Sequence, residues 1–82
     1  MKKKQLFDLV KSLGEGIYKS IHVIDLSSNF DVKYRVYHSL GYCFHIEKHF
    51  NSDDYYFDST LFEGFKSIDV ESAIILLQNK SK

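Results

Sequence analysis

The sequence predicts an α+β fold: a three- or four-stranded antiparallel meander with N- and C-terminal helices packed on one face, in the order α-β-β-β-(β)-α. Three observations carry that expectation. From Val32 to Phe50 the chain alternates almost without error, with Val32, Tyr34, Val36, Tyr42, Phe44 and Ile46 on one parity. Lys33, Arg35, Tyr37, Cys43, His45, Glu47 and His49 fall on the other, which describes a hairpin with one apolar and one wet face. Both ends of the chain instead carry apolar residues at helical spacing. Two amphipathic helices and a one-sided sheet bury all their apolar surface only when both helices cover the same face. The opposite face is then expected to stay in water.

Residues 2–13 are predicted helical, since Leu6, Leu9, Val10 and Leu13 recur at i, i+3, i+4 and i+7. Lys2, Lys3 and Lys4 oppose the helix dipole at its amino end. Gly14-Glu15-Gly16 stops the helix, with Gly14 as a left-handed cap. Residues 17–26 read as one strand, with Ile17, Ile21 and Val23 on one side and Ser27–Phe30 as the following turn. Residues 32–38 and 42–50 form the next two strands, joined by Ser39-Leu40-Gly41 as a three-residue hairpin loop with Gly41 at the closing bulge. That loop pairs His38 with Tyr42, Val36 with Phe44 and Tyr34 with Ile46 on the apolar side. It pairs Tyr37 with Cys43, Arg35 with His45 and Lys33 with Glu47 on the wet side. A slip of one residue would bury Lys33 and Arg35, so the register is firmly specified.

Asn51–Asp54 is a turn, and residues 55–59 suit a short fourth strand. Between residues 59 and 66, Leu61, Phe62 and Phe65 fit a single helical turn that Gly64 weakens. Asp69 is placed to cap a final helix over residues 70–79, with Glu71 in its first turn and Val70, Ala73, Ile74 and Leu77 as its core stripe. Ile75 and Leu76 widen that stripe and suggest a homodimer contact through the C-terminal helix.

With 82 residues the chain is expected to form one α+β domain over residues 1–82, burying roughly 60–65% of its unfolded surface. A hydrophobic content of 44%, with seven Phe and six Tyr, argues against disorder. No apolar run approaches the ~18 residues of a membrane span. The residues after Met1-Lys2-Lys3-Lys4 are amphipathic and charged, so no secretory leader is expected. One cysteine, Cys43, forms no internal disulfide and fits a reducing cytoplasm. Richness in Lys, Ile, Phe, Tyr, Asn and Ser without Pro or Trp is what an AT-biased genome encodes, which points to a low-GC bacterium or its phage.

Net charge is zero but unevenly placed. Residues 1–50 hold eight Lys/Arg against five Asp/Glu, a net of +3. Residues 51–71 hold six carboxylates against Lys66, a net of −5. A general nucleic-acid binder carries an overall excess of Lys and Arg to displace phosphate counterions, and this chain has none.

Cys43, His45, Glu47 and His49 are metal-ligand types on one strand face. Neighbours two apart on a strand are about 6.6 Å apart and Cys43 and His49 about 20 Å, whereas zinc holds ligands at about 2.0–2.3 Å. An ordinary solvated strand face outweighs a metal site, and no metal or other cofactor is expected. Cys43 lacks a nucleophile motif, a third orienting group and a pocket, so no enzyme is expected. Gly14-Glu15-Gly16 follows a helix and lacks the later glycine and lysine of a phosphate loop.

Two surfaces remain. Asn51–Asp58 interleaves carboxylates with tyrosines, a poor phosphate ligand and a good contact for a basic protein surface. The plain alternative is that Tyr55 and Phe57 enter the core while the aspartates solubilise a loop. The first expectation is therefore a non-enzymatic cytosolic protein-interaction module, an accessory or inhibitory protein of a phage or mobile element, binding a partner through Asp53, Asp54, Tyr56 and Asp58. The alternative is a nucleic-acid-binding domain using the open sheet through Lys33, Arg35, Tyr37 and His45. If Ile21 lies opposite Val36, His22 adjoins Arg35 in that face. The order α-β-β-β-α resembles that of double-stranded-RNA-binding domains, although Asp69 and Glu71 stand where those domains place lysines.

Overall fold

In a computed structural model the chain forms α1 (Lys2–Leu13), β1 (Gly16–Tyr18), β2 (Ile21–Asp25), β3 (Asp31–His38), β4 (Tyr42–His49), β5 (Tyr55–Asp58) and α2 (Val70–Gln78). The structure describes residues 1–60 and 62–78. Leu61, in the predicted helical turn, and Asn79, in the predicted last helix, lie outside the described residues. The five strands make one antiparallel sheet in sequential order, β1-β2-β3-β4-β5. The fold is thus α+β, and both helices lie over the same sheet face, as the amphipathic pattern requires.

Burial on that inner face follows the alternation. Ile21 and Val23 of β2, Tyr34 and Val36 of β3, and Phe44 and Ile46 of β4 meet Leu6, Phe7 and Val10 of α1 and Ala73, Ile74 and Leu77 of α2. Phe7 is the organising ring, 5.9 Å from Tyr34 and 5.3 Å from Tyr55 between centroids. Phe44 and Phe57 lie 5.3 Å apart and bring β5 into the same core. The predicted stripe of α1 is rotated slightly: Phe7 is buried, while Leu9 and Leu13 are only partly so.

The β3–β4 hairpin has the predicted register, from His38 opposite Tyr42 to Lys33 opposite Glu47. The Gly41 N–H donates to the His38 carbonyl at 2.9 Å, and Gly41 has a φ of 99°, a conformation that a side chain would strain. An added Cβ there would also meet Lys66 Cε at 3.1 Å.

Three local expectations are corrected. Residues 17–26 are not one strand but the β1–β2 hairpin, turning at Lys19-Ser20 with Lys19 left-handed at φ 46°. The turn moves Ile17 opposite His22, so Ile17 leaves the core side and is 75% exposed. The Tyr18 hydroxyl, set against the Leu13 and Gly14 carbonyls, fixes this hairpin to the end of α1.

The β2–β3 register is shifted by two residues from that expected: Val23, not Ile21, faces Val36, and His22 faces Tyr37 instead of Arg35. Side chains in the connection absorb the difference. Asp25 Oδ1 accepts from the Ser27 N–H at 2.8 Å, and the Ser27 and Ser28 hydroxyls accept from the Lys33 and Phe30 N–H groups. A shift of two preserves the faces, so the core composition survives.

The outer face is not left bare. After β5 the chain crosses it and returns, Lys66 pairing in parallel with Tyr42 at the start of β4. Phe62 and Phe65 therefore sit on the outer face as a strap. The predicted helical turn is instead a reverse turn, with the Phe65 N–H donating to the Phe62 carbonyl at 3.1 Å and Gly64 at φ 85°. Among the described residues, no helix is long and apolar enough to cross a membrane.

Candidate interaction site

The acidic corner is built where β4 hands over to β5. The Ser52 N–H donates to the His49 carbonyl at 3.3 Å, and the Ser52 hydroxyl accepts from the Asp54 N–H at 3.0 Å, which turns the chain and leaves Asp53 and Asp54 in solvent. Period-two alternation in β5 then sends Tyr55 and Phe57 into the core and Tyr56 and Asp58 to the outer side. Tyr56 stands opposite Glu47 and is 56% exposed. Asp58 stands opposite His45, and its Oδ1 accepts from the Thr60 N–H at 3.2 Å and hydroxyl at 3.0 Å. Asp58 therefore shapes the exit from β5, whereas Asp53, Asp54 and Tyr56 face outward.

Among the described residues, the ion pairs are Lys2–Glu71 at 3.6 Å and Lys4–Asp8 at 2.9 Å. Neither takes up an acid of the corner. Lys4 feels the Asp53 charge from α1, but its ammonium is bonded to Asp8, whose hydrogen bond is the first cause of its raised pKa.

The outer sheet face has a different character. Arg35 Nε donates to His45 Nε2 at 2.8 Å and Nη1 to the Tyr37 hydroxyl at 3.4 Å. For His45 to accept there it must be neutral, with its proton on Nδ1. Burial, then the charges of Lys33 and Arg35, push the His45 pKa down to about 4, against the opposing pull of Asp58. Phe62 stands edge-on to His45 at 4.7 Å, with the Arg35 guanidinium 5.7 Å from its ring centre. Phe65 lies 5.2 Å from Tyr37. Cys43, on this wet parity, is 0% exposed, and burial raises its thiol pKa while Arg35 opposes the rise.

Lys33, Arg35, Tyr37 and His45 do share one face, as expected. Three of them are already engaged with one another, and the strap rings are set against all three. No group of three or more His, Cys, Asp or Glu side chains among the described residues is arranged to hold a metal ion.

Two shallow grooves flank this surface. One, of about 230 Å³, runs past Ile17, Ser20, His22 and Tyr37. The other, of about 210 Å³, lies between α2 and the β3–β4 loop, lined by Leu40, Tyr42, Ile68, Ser72, Ile75 and Leu76. Ile75 is 55% exposed there.

The residues missed from sequence are those of the strap: Ser59, Phe62, Phe65 and Lys66. Gly64 was the available signal, since a glycine between two phenylalanines suits a reverse turn better than a helix. No family model, curated protein or solved structure matches the chain. The resemblance in element order to double-stranded-RNA-binding domains stops at three strands, whereas this sheet has five.

Proposed function

We propose that the chain is a non-enzymatic protein-interaction module that grips a basic surface of a partner protein through Asp53, Asp54 and Tyr56, with Asp58 holding the end of β5 in place. The observation that carries this is Tyr56, a large aromatic more than half exposed on a strand whose other rings pack against the core, one residue beyond two solvated aspartates. Tyrosine supplies contact area at low entropic cost, and the aspartates supply complementarity to Lys or Arg. The engagement of Arg35 with His45 and Tyr37, under Phe62, favours this corner over the sheet face as the recognition surface. Composition supports a cytosolic setting and an accessory or inhibitory role for a phage or mobile element: one cysteine, no Pro or Trp, and many Lys, Ile, Phe and Tyr.

The test is a comparative capture from lysate of the source cells, with the wild-type chain and the Asp53→Lys/Asp54→Lys/Tyr56→Ala variant as baits, read by mass spectrometry. The expected result is a protein retained by wild type and lost by the variant. Identical retention by both baits would remove the acidic corner from consideration.

A further inference from the structure

We propose that β5 accepts an extended, basic segment of a partner protein as a sixth strand of the sheet. This rests on the acidic corner being the partner-binding surface, and it adds the mode of binding and the chemistry of the partner.

The sheet is open, so among the described residues β1 and β5 each have one flank without a neighbouring strand. An unpaired flank presents backbone N–H and C=O groups that template another chain, and proteins blunt such edges with lysine, proline, bulges or very short strands. The two edges here differ. β1 has three residues, begins with a glycine and is followed by Lys19. β5 is Tyr55-Tyr56-Phe57-Asp58, with no lysine, proline or glycine and three strongly strand-forming aromatics. Tyr55 and Phe57 are anchored against Phe7 and Phe44, so the strand is rigidly presented. Beyond β5 the chain itself adds to this margin, where Lys66 pairs in parallel with Tyr42 and its N–H donates to the Gly41 carbonyl at 2.7 Å. Among the described residues, β5 itself pairs only with β4.

Charge selects the occupant of that flank. Asp53 and Asp54 precede the strand, Asp58 ends it, and the surrounding residues 51–71 carry a net of −5. Two copies meeting edge to edge through β5 would bring these carboxylates together, which opposes self-pairing. A strand bearing Lys or Arg at alternate positions would meet them favourably, while backbone hydrogen bonds supply register and affinity. Tyr56, on the outer face, is placed to cover the neighbouring side chain of the added strand.

The experiment uses the full-length ¹⁵N-labelled chain and a synthetic decapeptide of alternating Lys and Val, with an alternating Glu and Val decapeptide as its counterpart. Two further Lys/Val peptides are N-methylated on alternate amides of opposite parity, so that one has lost the donors that would face β5. The expected result is that the Lys/Val peptide shifts and protects amides of residues 55–58. The Glu/Val peptide, the Asp53→Lys/Asp54→Lys variant and one N-methyl parity should each weaken binding at least tenfold.

If binding is lost on charge reversal but survives both N-methylated peptides, strand addition is overturned while the acidic corner stands as a binding surface. Equal binding of the Glu/Val peptide would overturn the basic partner. Absence of any shift with the Lys/Val peptide would overturn strand addition, and capture from lysate would then judge the corner separately.

Discussion

Ser59 is a small side chain on which the outer face depends. It is buried, its hydroxyl donates to the Cys43 carbonyl at 3.0 Å, and the same oxygen accepts from the Ile68 N–H at 2.9 Å. One oxygen thus ties the end of β5, the start of β4 and the approach to α2. Ser59→Ala leaves two backbone groups short of a partner and is expected to cost about 1–3 kcal/mol, read as a lower urea midpoint. The same variant should speed the reaction of the Cys43 thiol with a disulfide reagent, since the cover over it is loosened. His45 gives a second expectation. Its folded pKa of about 4 lies below the ordinary 6.5, so the fold favours the neutral ring. Its contribution is complete above pH 6.5 and is lost as pH falls toward 4. Asp25 and Asp69, held below the usual carboxylate value by hydrogen bonds from Ser27 and Ser72, weaken the fold only at lower pH still. Melting temperature should therefore already decline between pH 6.5 and 4.5 in the wild type. In His45→Gln the decline in that window should be smaller, and an unchanged slope would remove the Arg35–His45 hydrogen bond as its cause.

At the scale of elements, α2 separates packing from exposure within one turn. Ile74 is in the core and Ile75 is on the groove wall. Ile74→Ala is expected to cost about 2–5 kcal/mol. Ile75→Ala should stay within about 0.5 kcal/mol, measured by the same urea titration. The Asp69 cap, whose Oδ1 accepts from the Ser72 N–H at 2.7 Å, was legible because aspartate before an amphipathic run has few other uses. The β3–β4 hairpin was legible for a similar reason: one-residue slippage would bury Lys33 and Arg35, and Gly41 marks the loop. The β1–β2 hairpin was not. Two-residue turns usually announce themselves with Asn-Gly or Asp-Gly, and Lys19-Ser20 has neither. A run of Ile and Val then reads as one strand. The two-residue error between β2 and β3 arose because serine and aspartate side chains, not strand pairing, set the length of that connection. Hydrogen bonds of this kind leave no periodic trace.

For the whole molecule, the strap decides how much of the outer face stays open. Alternation identified the inner face, and Tyr55 and Phe57 enter the core as the plain alternative had them, which leaves Tyr56 outward beside the solvated aspartates. What covers the outer face depends on residues far along the chain returning over β3 and β4, which no short window encodes. Lys33, Arg35, Tyr37 and His45 were expected on a bare face because the pattern reports parity and not what lies on top. In the fold, Arg35 Nε is directed to His45, and Phe62 and Phe65 occupy the ground on which bases would stack. Zero net charge adds no compensating attraction to phosphate. The wild-type chain is therefore expected to pass through a heparin column at low ionic strength, and Arg35→Ala should leave its elution unchanged. Retention of wild type that Arg35→Ala removes would restore the sheet face as a polyanion surface. The double variant Phe62→Ala/Phe65→Ala sharpens the comparison, because it uncovers Arg35 and Tyr37 without altering charge. Retention by that variant alone would locate the barrier to polyanions in the two rings, and equal passage of all three proteins would locate it in the charge balance of the chain.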